Sequence, residues 1–155
     1  MGKLIDRKNI VELITELRKD GKTVVTTNGC FDILHVGHVR YLQKTKTFAD
    51  YSIVMLNSDK SVRSIKGPTR PVNNESDRAE ILCALECVDF VVLFDEDSPQ
   101  NLIAEIKPNV HTKGADYTVD TLPEAKTIME NGGRIEFISF VEGKSTTSII
   151  EKMKA

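Results

Sequence analysis

The stretch Thr23-Val24-Val25-Thr26-Thr27-Asn28-Gly29-Cys30-Phe31-Asp32-Ile33-Leu34-His35-Val36-Gly37-His38 decides how the rest of this chain is read. Its first five residues are all β-branched, the composition of a strand. A loop over 28–34 follows, and a helix is predicted over 36–49. Gly29 and Gly37 let backbone approach a ligand closely. His35 and His38 are three residues apart, so in a first helical turn they share one face. The amides at that helix start add partial positive charge beside the two imidazoles. Together these groups suit a polyphosphate and the charge that develops when it reacts. Two other readings stand beside this one. The histidines could be ordinary core or surface residues, or could contribute to a zinc site, although His111, Cys30 and Asp32 form no recognised third-ligand pattern with them. A dinucleotide fingerprint does not fit, because Gly-x-Gly-x-x-Gly is absent.

Strands and helices alternate on both sides of this stretch. Upstream, Asp6 can cap a helix whose Ile10, Leu13, Ile14 and Leu17 recur with helical spacing. Arg18, Lys19 and then Gly21 end it, so residues 1–22 form an N-terminal helix packed on the domain. Downstream, strands are predicted over 51–56, 90–94, 110–113 and 135–141. Helices are predicted over 75–87 with Ile81, Leu82 and Leu85 inward, after Pro99, over 122–130 and over 145–154. Residues 57–74 read as the longest irregular stretch. Such alternation implies right-handed crossovers and a parallel sheet with helices on both faces. Ligands of such sheets sit beyond the carboxyl ends of the strands.

Three further features follow predicted strands and so belong to that same edge. Residues 60–70 hold Lys60, Arg63, Lys66 and Arg70 and no acid, with Arg78 on the next helix. This is either a solvated face or a mobile basic lid over phosphates. In Lys113-Gly114-Ala115-Asp116-Tyr117, Lys113 can meet a phosphate and Asp116 a sugar hydroxyl, or the segment is a plain strand-end turn. In Gly143-Lys144-Ser145-Thr146-Thr147-Ser148, Ser145 can cap the last helix, and the run of hydroxyls favours phosphate contact.

Composition sets the outer limits. At 155 residues the chain suits a single domain over 1–155, able to bury about 69% of its unfolded surface. The 21 bases and 23 acids leave a net charge of −2, which argues against a nucleic-acid binder. No apolar run approaches membrane-spanning length, so no membrane partner is expected. Met1-Gly2-Lys3-Leu4-Ile5-Asp6 lacks a signal-peptide core, and Asp6 excludes a myristoylation signal. Cys30, Cys83 and Cys87 form no CxxC motif. Cys83 and Cys87, one turn apart, read as a buried reduced pair, and a cytoplasmic location is expected.

Gly29-Cys30-Phe31-Asp32 with His35-Val36-Gly37-His38 resembles the strand–loop–helix motif of the HxGH nucleotidylyltransferase superfamily. Gly143-Lys144-Ser145-Thr146-Thr147 is similar to that superfamily's closing Gly-Ile-Ser-Thr-Thr element. Within it, the chain most resembles the D-glycero-β-D-manno-heptose 1-phosphate adenylyltransferases, from the first helix to Met153. Shared segments include Asn57-Ser58-Asp59, Arg70-Pro71-Val72-Asn73 and Lys113-Gly114-Ala115-Asp116-Tyr117. The resemblance implies a Rossmann-like fold with a five-stranded parallel sheet in the order 3-2-1-4-5, and a homodimer. It implies AMP transfer from ATP, with Mg²⁺, to a heptose 1-phosphate. With no room for a kinase domain, the free-standing form is expected. His35, His38 and Lys66 would be catalytic. Asn28, Gly29, Cys30, Phe31, Gly37, His38, Arg63, Lys113, Gly114, Asp116, Ser145, Thr146 and Thr147 would bind the nucleotide. Related cytidylyltransferases carry Arg-Thr where this chain has Phe140-Val141, and Lys144 replaces the usual Ile, a departure that suits adenine over cytosine. The alternatives are a cytidylyltransferase for a polyol or amino-alcohol phosphate of the glycerol-3-phosphate type, and a non-catalytic nucleotide-binding module.

Overall fold

Asp6 starts the first helix as its sequence suggests: its Oδ1 accepts the Asn9 amide at 2.9 Å. The computed structural model describes residues 1–139 and 146–154. In chain order it runs β1 (Lys3–Leu4), α1 (Arg7–Lys19), β2 (Val24–Gly29), α2 (Val36–Lys46), β3 (Tyr51–Asn57) and α3 (Asp59–Lys66). Then come α4 (Glu75–Cys83), β4 (Phe90–Phe94), α5 (Gln100–Ile106), β5 (Val110–Gly114), a 3-10 turn (Val119–Thr121), α6 (Ala125–Glu130), β6 (Arg134–Ile138) and α7 (Thr146–Lys154).

All strand pairs are parallel, in the order β1-β4-β3-β2-β5-β6. The expected five-stranded sheet in the order 3-2-1-4-5 is therefore corrected to six strands among the described residues. The added edge strand is β1, two residues beside β4 and too short to show a period. It is seated by Gly2, whose amide donates to the Cys83 carbonyl at 2.8 Å. A Cβ on Gly2 would come within 2.5 Å of the Val88 carbonyl oxygen, so only glycine fits there.

Alternate residues of the central strands face opposite cores. Ile53 and Met55 pack with α1, α5 and α6 through Ile10, Ile14, Leu102, Ile103, Ile106 and Ile128. Val54 and Leu56 pack with α2 and α4 through Tyr41, Leu42, Ala79 and Leu82. Helices thus cover both faces. The chain moves outward from β2 to β3 and β4, then crosses back to β5 on the other side of β2. The carboxyl ends of β2 and β5 therefore flank the switch point, where open α/β sheets bind ligands.

Several element boundaries differ from those read in the sequence. Residues 57–74 are not one irregular stretch, because α3 occupies eight of them. Ser58 accepts the Ser61 amide at its start, Ser61 and Val62 are buried, and Gly67 closes it with φ 100°. The helix expected over 75–87 ends at Cys83, and Ile81 points outward at 42% exposure. The helix expected over 122–130 begins at Ala125, after Pro123. Cys83 is buried and Cys87 partly buried, and both are free thiols. No helix among the described residues is long and apolar enough to cross a membrane.

Candidate functional site

The loop leaving β2 is bent sharply and then tied down. Gly29 lies against the Phe31 ring, where a Cβ would come within 2.9 Å of Cε2. Phe31 itself takes φ 44°, a left-handed conformation that costs a non-glycine residue energy and persists only when its surroundings enforce it. The enforcing contacts follow at once. Asp32, 2% exposed, accepts from the Val72 amide at 2.9 Å, the Asn73 amide at 2.9 Å and Arg70 Nε at 2.9 Å. Burial alone would raise the Asp32 carboxyl, but the Asn73 and Val72 amides with Arg70 outweigh it and hold it below its ordinary value. Arg78, wholly buried on α4, donates to the Cys30, Asn57 and Asn73 carbonyls and to Asp59 Oδ1 at 2.7–3.0 Å. One guanidinium thus ties the loop after β2, the end of β3, the start of α3 and the segment before α4.

His35 caps α2, and the two histidines of the motif orient each other. The Gly37 amide donates to His35 Nδ1 at 3.1 Å, and the His35 amide donates to His38 Nδ1 at 3.3 Å. The rings stack with centroids 3.9 Å apart. Because Nδ1 accepts at both positions, a neutral ring at either one carries its proton on Nε2. Burial, then the neighbouring His35 and Lys66, lowers the His38 pKa to about 4. His38 is therefore neutral near pH 7, and what it offers an anion is an N–H donor rather than a full charge.

The helix carrying this pair is fixed on the sheet by buried hydroxyls. Tyr41 Oη meets Thr27 Oγ1 at 2.8 Å and Thr112 Oγ1 at 3.2 Å. Thr45 Oγ1 meets Thr112 Oγ1 at 2.9 Å. Across the switch point, Lys113 Nζ donates to Asn28 Oδ1 at 3.2 Å and lies 5.3 Å from the centroid of the Tyr117 ring.

The structure brings Asn28, Gly29, Cys30, Phe31, Gly37, His35 and His38 together at the end of β2, with Lys113 and Gly114 beside them on β5. Lys66, on α3, is close enough to act electrostatically on both Cys30 and His38. Asp116 acts in the same way on Lys113. Arg63 and Lys66 are exposed in the second half of α3 and have no carboxylate partner among the described residues. These bases ride on a capped helix rather than on a free lid. Arg70 and Arg78 are not loose cations either: Arg70 is engaged by Asp32 and its Nη2 has no partner among the described residues, while Arg78 is wholly committed to the frame. Thr147 lies exposed in the first turn of α7. Ser145, Phe140, Val141, Gly143 and Lys144 lie outside the described residues, as does the Thr146 side chain. Asp32 and Arg78 are the organising residues that sequence reasoning left without a role. The nearest signal was the position of Asp32 inside the motif; nothing local marks Arg78 as buried.

A family model described as cytidylyltransferase-like matches residues 26–152. The chain belongs to this family. Proteins named bifunctional protein HldE are similar to it: the one from Geotalea uraniireducens (strain Rf4) is 57% identical over 86% of this chain. The one from Syntrophotalea carbinolica (strain DSM 2380 / NBRC 103641 / GraBd1) is 50% identical over 95% of it. The matches span only 27% and 30% of those two proteins' own lengths. Among solved structures, the lipopolysaccharide core biosynthesis protein from Thermoplasma volcanium GSS1 superposes with a TM-score of 0.63 at 29% identity. That match covers 78% of this chain and 98% of the other. For a cytidylyltransferase-like chain, the matched region begins inside β2 and takes in the whole switch-point edge.

Proposed function

We propose that this chain transfers AMP from ATP to D-glycero-β-D-manno-heptose 1-phosphate, forming ADP-heptose and pyrophosphate. The observation that carries this reading is the histidine pair: two stacked imidazoles, each accepting a backbone amide at Nδ1, at the switch point of a parallel sheet. The likeness to a lipopolysaccharide core biosynthesis protein supports a sugar phosphate as the second substrate.

The chemistry needs little from the protein beyond position and charge. The sugar phosphate is already an anion, so no general base is required. Its oxygen forms a bond to the α-phosphorus as the bond to the pyrophosphate oxygen breaks, and the electron pair leaves with pyrophosphate. His35 and His38 donate to phosphate oxygens as charge develops. Lys66, Arg63 and Lys113 supply positive charge around them, and Asn28, Gly29, Cys30, Phe31, Gly37 and Gly114 shape the backbone that the nucleotide approaches. Asp116 would meet its sugar, and the hydroxyls of Ser145, Thr146 and Thr147 would meet its phosphates. The described residues include no group of three or more His, Cys, Asp or Glu side chains able to hold a metal. Mg²⁺ would arrive on ATP, held by phosphate oxygens and water, and would neutralise charge on the polyphosphate.

The test is pyrophosphate release from ATP and from CTP, each with a panel of sugar 1-phosphates, glycerol 3-phosphate and Mg²⁺, with the product weighed by mass spectrometry. ADP-heptose as the main product is expected. Equal turnover of CTP and ATP on the same sugar phosphate would sink the adenylyl assignment. CTP is the second reading because the matching family model is cytidylyltransferase-like. Binding of ATP without release from any acceptor would instead leave a nucleotide-binding module. Lys66→Ala should lower kcat by about 10²-fold while changing the KM for ATP by no more than about threefold. An unchanged kcat counts against a role for Lys66 at the reacting phosphates.

A further inference from the structure

On the α6 side of the sheet, β2 and β5 carry two polar pairs in succession toward the switch point. Thr26 Oγ1 and His111 Nδ1 lie 2.8 Å apart, and one step further along, Lys113 Nζ donates to Asn28 Oδ1. His111 and Lys113 share this face because alternate residues of a strand do. His111 is wholly buried, and its Nε2 has no hydrogen-bond partner among the described residues. What faces that nitrogen is Glu124 Oε1, 3.7 Å away, from a side chain only 4% exposed. A buried carboxylate is costly unless paired, and an apolar residue would fill the same place at lower cost. Glu124 also stands at the end of the 115–124 loop, which carries Asp116 and Tyr117 beside Lys113.

We propose that Glu124 is a positioning residue: with His111 it fastens the 115–124 loop to the sheet and sets a buried carboxylate on the same face of the sheet as Lys113. The inference rests on the reading of that edge given under the proposed function. Glu124 and Asp116 favour the charged form of Lys113, as does Cys30 from the loop after β2. Asn28 accepts its proton and the Tyr117 ring lies beside it. Opposing them is burial, the largest influence on this amine, which lowers its pKa, and His111 on its own strand lies close enough to interact. Among the carboxylates Glu124 acts most strongly, so its loss should release the proton of Lys113 at lower pH.

The test is the pH profile of pyrophosphate release for the wild type, Glu124→Gln, Lys113→Arg and the double variant, with kcat and the KM for ATP separated. For Glu124→Gln the alkaline limb should move down by about one pH unit, and the KM for ATP should rise about tenfold at pH 9 and less at pH 7. Arginine stays charged without a counter-ion, so in the Lys113→Arg background the added Glu124→Gln should not move the alkaline limb. If Glu124→Gln does not fold, Glu124→Asp retains the charge, and should be weakened in KM but keep the wild-type limb. A Glu124→Gln profile that coincides with wild type overturns the inference, as does a uniform loss at every pH. So does a shifted limb in Glu124→Asp, or an equal shift in both backgrounds. An inert wild type overturns the functional reading and this inference with it, whereas an active wild type with an unchanged variant overturns only the inference.

Discussion

His38→Ala is expected to lower kcat by about 10²- to 10³-fold while the protein still folds. The loss follows from geometry. The Nε2–H donor disappears, and His35 loses both its stacked neighbour and the ring nitrogen that its own amide reaches. The stability cost at pH 7 is that of one helix-cap contact and some packing, about 1–2 kcal/mol. The same substitution also changes the response to acid. In the folded protein His38 titrates at about 4 instead of 6.5, chiefly because it is buried. The unfolded chain therefore binds a proton that the folded one refuses between those values. The stability that follows is fully present above pH 6.5 and is lost as pH falls through 4, amounting to about 2 kcal/mol once partial exposure is allowed for. His38→Ala has no such loss, so urea unfolding at pH 7 and near pH 4 should show the gap between the two proteins narrowing in acid. Wild-type turnover in a folded His38→Ala protein refutes the assigned role, and a constant gap refutes the buried neutral state.

The second large effect is on stability and falls at Arg78. Substitution by lysine keeps the charge but not the fork, and one ammonium cannot reach three carbonyls and a carboxylate from four segments. Substitution by methionine leaves all four acceptors without their donor. Each variant should lose about 3–5 kcal/mol in equilibrium unfolding, the range for removing one partner of a buried charged network. A loss below about 1 kcal/mol in both would show that water replaces the guanidinium and that the frame does not depend on it. Since Arg78 holds the Cys30 carbonyl and Asp59, whatever folded variant remains should also bind ATP more weakly.

What the chain reveals in one dimension, and what it hides, divides along the range of the interactions. The alternation of strands and helices is written in local periodicity, and the histidine pair lies within one turn, so both could be read directly. β1 could not, because a two-residue strand has no period and is held by contacts to Cys83 and Val88 more than eighty positions away. α3 was obscured by its charge: of its eight residues only Ser61 and Val62 are buried, and its polar composition imitates a loop. Ser58 as a cap, the Val62–Ile65 spacing and Gly67 beyond the end were the available signals. Arg78 reads as a surface base because long cations usually are, and its partners are backbone carbonyls that no residue type announces. His111 and Glu124, thirteen positions apart, meet only because the loop between them folds back over the sheet.

The hydroxyls of Thr27, Tyr41, Thr45 and Thr112 give α2 only one depth and one rotation at which all four are satisfied. A slide of one turn would strand them in an apolar layer, at a cost of about 1–3 kcal/mol for each unpaired group. The imidazoles at the head of α2 and the amine at the end of β5 therefore have their spacing set by the packing of α2 on the sheet. Under the proposed function, a nucleotide would meet a cradle assembled during folding, and little of its affinity would be consumed in arranging it.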